Sequence, residues 1–307
     1  MDESLVFASG LEQRLPGLCI SRNRHLNLSM AATVAPAMRC RYVDLDGTLL
    51  GPDASLLRDA DGRFALEGVR ALQACFRADA EVVVYSGRNQ QSVFNASRLI
   101  GSSSYIFELG CGVVIDGELE WLTGGLVPSA ERGSIHAQIE ASGAPALLLE
   151  RYEGRLEYHT PWSVNREVSH LFRGDIDLDE VAGVLREAGI DGLRLVDNGV
   201  AHEHKMDGVP IVHVYHLIPD GASKARAVAR HMRARGYAPG DCIAVGDSRE
   251  DMDAALVVDA FWLVANALER DPDLGPEIAG RQGVRVTSEP YGAGVYEAVV
   301  TTLATER

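Results

Sequence analysis

The sequence predicts an α/β layered fold with a largely parallel sheet, into which a smaller α+β unit is inserted. Three observations carry this. Short apolar runs alternate with stretches of helical period, as βαβ units require. Several of these runs stop at small or charged residues, where ligands bind in such sheets, beyond the carboxyl ends of the strands. Between about residues 121 and 211 the pattern changes to short hairpins and helices, and the alternation then resumes.

Residues 1–38 show no sustained periodicity. The small, mildly apolar run from Met30 to Met38 is too weak for a signal peptide, and Asp2, Glu3 and Glu12 argue against a transit peptide. A flexible extension is expected, or an upstream start with Met30 or Met38 as the working one. The first strand then carries Arg41-Tyr42-Val43 into Asp44-Leu45-Asp46-Gly47-Thr48. Residues 49–64 are rich in turns, as a flap would be, and residues 66–76 predict a helix with Leu66, Val69, Leu72 and Phe76 on its apolar stripe. Residues 81–85 form a continuous apolar strand that ends at Ser86-Gly87-Arg88. A helical stretch, a strand over 105–107 and a hairpin around Asp116-Gly117 complete the first half.

Within the insertion, residues 147–158 predict a hairpin turning at Glu153-Gly154. A helix over 178–188 follows, then a strand over 193–196 with a turn at Asp197-Asn198-Gly199. The main pattern returns at residues 212–215, before Lys224 opens a helix with Ala225, Val228, Ala229 and Met232 on one side and Arg226, Arg230 and Arg233 on the other. The strand over 242–245 delivers Gly246-Asp247-Ser248-Arg249-Glu250-Asp251. Two short strands, over 261–264 and 284–286, and a final helix after Gly294 close the chain. The domains expected are an extension over 1–38, a core over 39–120 and 212–307, and an inserted unit over 121–211.

Bulk properties restrict the partners. Among 307 residues, 44 acidic against 29 basic side chains give a formal charge of −15, which disfavours polyanions such as nucleic acid. A small phosphorylated metabolite answers only to the local field of a pocket and is not excluded. The five cysteines (Cys19, Cys40, Cys75, Cys111, Cys242) are scattered and odd in number, which fits a reducing, cytoplasmic setting better than a disulfide framework. No apolar run approaches the roughly 20 residues of a membrane span. A homo-oligomer is compatible with all of this.

Asp44 and Asp46 lie two apart on an extended backbone, so their side chains can aim at one volume. Two carboxylates at 4 Å repel by roughly 4 kcal/mol at an effective dielectric of about 20. A hard divalent cation such as Mg2+ would offset that; a solvated Asp-Gly turn is the plain alternative. Ser86 can likewise be a helix cap, Lys224 a solvated lysine, and Ser248-Arg249-Glu250-Asp251 a capping box. What these readings leave unexplained is the order: strand–Asp-x-Asp-Gly-Thr, strand–Ser-Gly-Arg, Lys opening a helix, strand–Gly-Asp-x-x-x-Asp.

In that order the chain resembles the haloacid dehalogenase superfamily, whose four motifs these are. The interval from Ser86 to Lys224 is more than three times that from Asp44 to Ser86. This resembles the type IIB branch, with its large cap between the second and third motifs on a Rossmann-like core. That branch contains Cof-like sugar phosphatases, sucrose-phosphate and mannosyl-phosphoglycerate phosphatases, and phosphomannomutases. The resemblance implies a Mg2+-dependent phosphatase of a small sugar phosphate or sugar–glycerate phosphate. Asp44 would be the nucleophile and Asp46 the acid/base. Ser86, Gly87, Lys224 and Thr48 would belong to the phosphate site. Asp44, Asp46 (through its carbonyl), Asp247 and Asp251 would form the metal site. A phosphomutase would use the same motifs, and a phospho-receiver shares an acidic cluster with a lysine. Two departures stand out: Glu250 where many relatives carry Asn, and Glu108-Leu109-Gly110-Cys111 in place of Glu-Asn-Gly-Ala. In the cap, His202 and His204 share a strand face as a metal pair would, and Arg151, Arg166, Arg173 and Lys205 are candidate anion binders, with polar surface as the default for each.

Overall fold

The computed structural model describes residues 38–201 and 205–305; the extension over 1–37 and the His202–His204 pair lie outside the described residues. The strands in chain order are β1 (Cys40–Val43), β2 (Glu81–Tyr85), β3 (Tyr105–Phe107), β4 (Gly112–Ile115), β5 (Glu118–Trp121), β6 (Leu156–Tyr158), β7 (His170–Gly174), β8 (Leu193–Val200), β9 (His213–Pro219), β10 (Cys242–Gly246), β11 (Ala260–Leu263) and β12 (Val284–Val286). The helices are α1 (Glu67–Arg77), α2 (Gln90–Leu99), α3 (Ile135–Ala141), α4 (Ala144–Arg151), α5 (Leu178–Glu187), α6 (Lys224–Arg235), α7 (Arg249–Met252), α8 (Asn266–Arg270), α9 (Leu274–Ala279) and α10 (Tyr291–Thr305).

The large sheet has the order β12-β11-β10-β1-β2-β3-β4-β5, parallel from β12 to β3 and antiparallel through the β3–β4–β5 hairpins. Its parallel strands are nearly all buried, as helices covering both faces require. One core cluster holds Val43, Val82, Val84 and Val245 on one face, and another holds Tyr42, Val83, Tyr85 and Ala244 on the other. β1 lies between β2 and β10, so the chain leaves it in both directions and opens a crevice at its carboxyl end. The loops after β1, β2 and β10 all meet there.

The second sheet, β6-β7-β9-β8, is antiparallel. Its core combines Phe172, Leu195, Tyr215 and Leu217 with Ile135, Leu148 and Val181 from helices α3, α4 and α5. Leu109 and Cys111 of the first half join that cluster, so the cap is packed onto the core. No helix among the described residues is long and apolar enough to cross a membrane.

Four expectations are corrected. The stretch over 212–219 does not return to the large sheet; β9 lies inside the cap sheet, paired antiparallel with β7 on one side and β8 on the other. The core therefore resumes at Lys224. The hairpin over 147–158 is the helix α4 followed by β6, with Pro145 in the first turn, where its missing N–H is harmless. The turn at Asp197-Asn198-Gly199 is an irregularity inside the longer strand β8. Finally, α1 buries Gly68, Ala71, Leu72 and Cys75, whereas Leu66, Val69 and Phe76 are exposed. The reason is close approach: a side-chain carbon on Gly292 would stand 2.9 Å from the Gly68 nitrogen, so small residues face α10.

Candidate active site

Asp44 extends the β1 ladder, its N–H donating to the Val245 carbonyl at 3.0 Å. Gly47 then turns the chain with φ +80°, and a side-chain carbon there would fall 2.0 Å from Asp247 Oδ2. Both constraints demand glycine. Asn266 holds this loop by donating from Nδ2 to the Gly47 carbonyl at 2.8 Å, while its Oδ1 accepts from the Tyr291 N–H at 2.8 Å.

Asp44 is buried, and Lys224 Nζ donates to its Oδ1 at 2.8 Å and to Asp251 Oδ1 at 2.6 Å. Ser223 caps α6, accepting from the Arg226 N–H, and so places Lys224 at the first turn facing the crevice. Asp251 serves two readings at once. Its Oδ2 accepts from Ser248 N and Oγ in a capping box, while its Oδ1 remains for the lysine. Asp247 takes Arg270 Nη1 on Oδ2 at 3.0 Å and lies 3.4 Å from the Thr48 hydroxyl. Thr48 is thus turned to Asp247 as a brace for the loop.

The electrostatics are those of a site with surplus negative charge. Burial raises the Asp44 carboxyl well above its usual range, Lys224 opposes this, and Asp251 and Asp247 add to it. Burial and Asp251 push Asp247 up to about 6 against Arg270 and Lys224. Burial alone would lower Lys224, but Asp251 and Asp44 raise it further than burial lowers it. Oxygen atoms of Asp44, Asp247 and Asp251 lie within 4.8 Å of one another. An all-oxygen donor set with unmet negative charge fits a hard divalent cation such as Mg2+.

The Asp46 side chain stands outside this cluster. It is about half exposed and held by Arg88, whose Nε donates to Oδ2 at 2.6 Å and Nη2 to Oδ1 at 2.5 Å. Ser86 is buried and does not cap α2, since Asn89 takes that part with Ser92. The Ser86 hydroxyl accepts only from the Arg88 N–H, at 3.3 Å, among the described residues.

Cap and core are joined beside this site. Glu108, fully buried, accepts from the N–H groups of Glu167, Val168 and Ser169 at 2.8, 3.1 and 2.6 Å, and from the Ser169 hydroxyl. Arg166 donates from Nε to Ser169 Oγ, from Nη1 to the Trp162 carbonyl and from Nη2 to the Gly87 carbonyl. Glu250 points away from the carboxylate cluster, toward the Lys224 N–H at 3.4 Å and Arg194 at 3.6 Å. Arg151 pairs with Glu180 and Arg173 with Glu157, while Lys205 is exposed.

Sequence reasoning missed Arg88, Asn266 and Arg270 as parts of the site. Arg88 was visible inside the Ser-Gly-Arg motif; Asn266 and Arg270 carry no spacing signal.

No protein-family model matches the chain. Solved structures with the same fold include the sucrose-phosphatase of Synechocystis sp. PCC6803, in complex with sucrose and phosphate, with a TM-score of 0.59 at 15% identity over 86% of this chain and 98% of that one. A phosphatase of the haloalkanoate enzyme superfamily from Bacteroides thetaiotaomicron has a TM-score of 0.57 at 14% identity, over 90% and 98%. The chain has the fold of these phosphatases. Curated relatives similar to the chain are named phosphoglycolate phosphatase. That of Methanococcoides burtonii is 24% identical over 263 residues, 85% of this chain and 95% of the relative. That of Pyrobaculum neutrophilum is 28% identical over 265 residues, again 85% and 95%.

Proposed function

We propose that the chain hydrolyses a small phosphate monoester, with Mg2+, through an aspartyl-phosphate on Asp44. The observation that carries this is the Asp44–Lys224–Asp251 chain of contacts, buried at the carboxyl ends of β1 and β10, with Asp46 two residues on and outside it. Asp44, Asp247 and the Asp46 carbonyl would hold the cation, oriented by Asp251. Bound there, it would screen the phosphate dianion and polarise the phosphoryl group.

In the first half-reaction a carboxylate oxygen of Asp44 bonds to phosphorus as the ester oxygen leaves, taking a proton from Asp46. In the second, Asp46 takes a proton from water, the water oxygen bonds to phosphorus, and the Asp44–phosphorus bond breaks to release phosphate. Lys224 neutralises Asp44 and the phosphoryl oxygens together, and Ser86 and backbone N–H groups near Gly87 hold the remaining oxygens.

The substrate reading is a small phosphorylated metabolite, of sugar phosphate, sugar–glycerate phosphate or phosphoglycolate type. The names of the relatives support this range, and the net negative charge supports the absence of a nucleic-acid partner. Buried free thiols at Cys40, Cys75, Cys111 and Cys242 support a reducing, cytoplasmic setting. The test is release of inorganic phosphate from p-nitrophenyl phosphate and a panel of phosphorylated metabolites, with Mg2+ and with chelator. Turnover that needs Mg2+ is expected; no release from any of them would overturn the reading, and isomer formation in its place would make the protein a mutase.

A further inference from the structure

The amino ends of the parallel strands, opposite the crevice, carry a second group of metal-ligating side chains. β1 pairs with β10 and β2 in a register that sets Cys242, Cys40 and Glu81 abreast, on the face where Tyr42 and Val83 lie one step further along. Helix α6 packs on this face through Ala227, Val228 and Met232, and presents the fully buried His231 to the row. Asp44 is four residues of extended strand away from Cys40, about 13 Å. Residues 40, 81 and 231 are too far apart in the chain for any ligand spacing to show.

A sulfur, an imidazole nitrogen and a carboxylate oxygen, from Cys40, His231 and Glu81, lie within 4.8 Å of one another. His231 Nε2 makes no hydrogen bond and stands 3.4 Å from Glu81 Oε1. That separation is long for an N–H···O bond, which falls at about 2.7–3.2 Å. Two ligands each about 2.1 Å from one tetrahedral ion stand about 3.4 Å apart. The Glu81 oxygens accept from Arg235 Nη2 and from the Tyr237 hydroxyl, each at 3.0 Å, and each oxygen keeps a second lone pair. Glu81 is half-buried and lines a cavity of about 370 Å³ with Arg235 and Tyr237, so an ion has a way in.

The far side of the imidazole is also prepared. The Tyr42 hydroxyl oxygen lies 2.8 Å from His231 Nδ1 and is in contact with Cys40 as well. With Nε2 on a metal, Nδ1 carries the hydrogen and gives it to Tyr42, whose own hydrogen can go to the Cys40 sulfur. Outer partners of this kind fix the ring and the tautomer of a ligating histidine.

We propose that Cys40, Glu81 and His231 bind a thiophilic divalent cation such as Zn2+, which ties α6 to β1 and β2 at the end of the sheet remote from Asp44. Mixed sulfur, nitrogen and oxygen donors suit zinc, whereas the all-oxygen set at Asp44 suits Mg2+. The site is structural and stands independently of the phosphatase reading.

The test adds Zn2+ or Co2+ to the reduced, full-length protein after treatment with chelator. Dialysis with metal analysis gives the Zn2+ bound per chain. Co2+ reports its ligands, because a cysteine sulfur bound to it gives an intense near-ultraviolet charge-transfer band that oxygen ligands do not. The band is expected in the parent and in Asp44→Asn, and Zn2+ should displace it. Cys40→Ala should abolish it, and Cys75→Ala, which removes a buried thiol elsewhere, should leave it unchanged. Glu81→Gln should weaken Co2+ binding at least about tenfold, and Tyr42→Phe about tenfold. If Cys40→Ala fails to fold, Glu81→Gln, at the half-buried position, carries the test. No band in the parent, a band that survives Cys40→Ala, unchanged affinity in Glu81→Gln, or loss of the band in Asp44→Asn would overturn the proposal.

Discussion

Arg88 holds both oxygens of the Asp46 carboxylate, at 2.6 and 2.5 Å. A carboxylate so gripped is oriented, and as the proposed acid/base it must change partner before it can reach a leaving oxygen. Asp46→Asn is expected to lower kcat/KM, which reports formation of the aspartyl-phosphate, about a hundredfold or more for alkyl phosphates and much less for p-nitrophenyl phosphate, since only poor leaving groups need the proton in that step. Arg88→Ala should slow the same substrates in the same direction. Because Arg88 acts through Asp46, its effect should vanish in the Asp46→Asn background. Equal effects of Arg88→Ala in both backgrounds would mean that it touches substrate instead.

Asp44→Asn removes the proposed nucleophile while leaving a side chain of the same shape. Phosphate release should fall at least about a thousandfold, with circular dichroism and the melting temperature near those of the parent. Substantial residual turnover would sink the covalent mechanism.

Lys224 is the one cation in contact with both Asp44 and Asp251 among the described residues. Lys224→Met leaves two buried carboxylates facing one another without it. A loss of about 3–5 kcal/mol is expected in chelator. Mg2+ should recover more stability in this variant than in the parent, because it supplies the missing charge. Paired thermal melts with and without Mg2+ read this; equal Mg2+ shifts in both would contradict it.

His170 in the cap is fully buried, stacked on His136 at 3.8 Å. Burial, then the neighbouring His136, lowers its pKa to about 4, below an unfolded value of about 6.5. A depressed pKa contributes stability that is complete above about 6.5 and is lost as pH falls through about 4. Up to about 3 kcal/mol should disappear across that window, at no more than about 1.4 kcal/mol per pH unit. Denaturant titrations of the parent and of His170→Phe, compared from pH 7 to 4, isolate the effect. Parallel curves would remove His170 as the cause.

Much of the large sheet was legible because its strands are continuous apolar runs ending in chemically distinctive residues, such as Val82–Val84 before Ser86. The four motif residues were legible for the same reason. The cap was read less well. Its strands carry polar residues on the face toward the core, so Asn198 reads as turn chemistry although it lies within β8. The strand β9 reads as one more core strand because nothing local distinguishes its partners. The buried face of α1 differs from its stripe of large residues because helix contact at Gly68 selects small ones. Arg88 and Glu108 act across intervals of 42 and 59 to 61 residues, which no local pattern encodes.

Glu108 also has a consequence for how this molecule can be taken apart. The loop Glu167–Ser169 finds its acceptor in a residue that belongs to the core half. A cap excised on its own would keep three N–H groups pointing at a missing carboxylate. A chimera that grafts another cap onto this core would strand Glu108 in turn. The two halves are separate in architecture but not interchangeable: any exchange of caps must carry this side chain's counterpart with it.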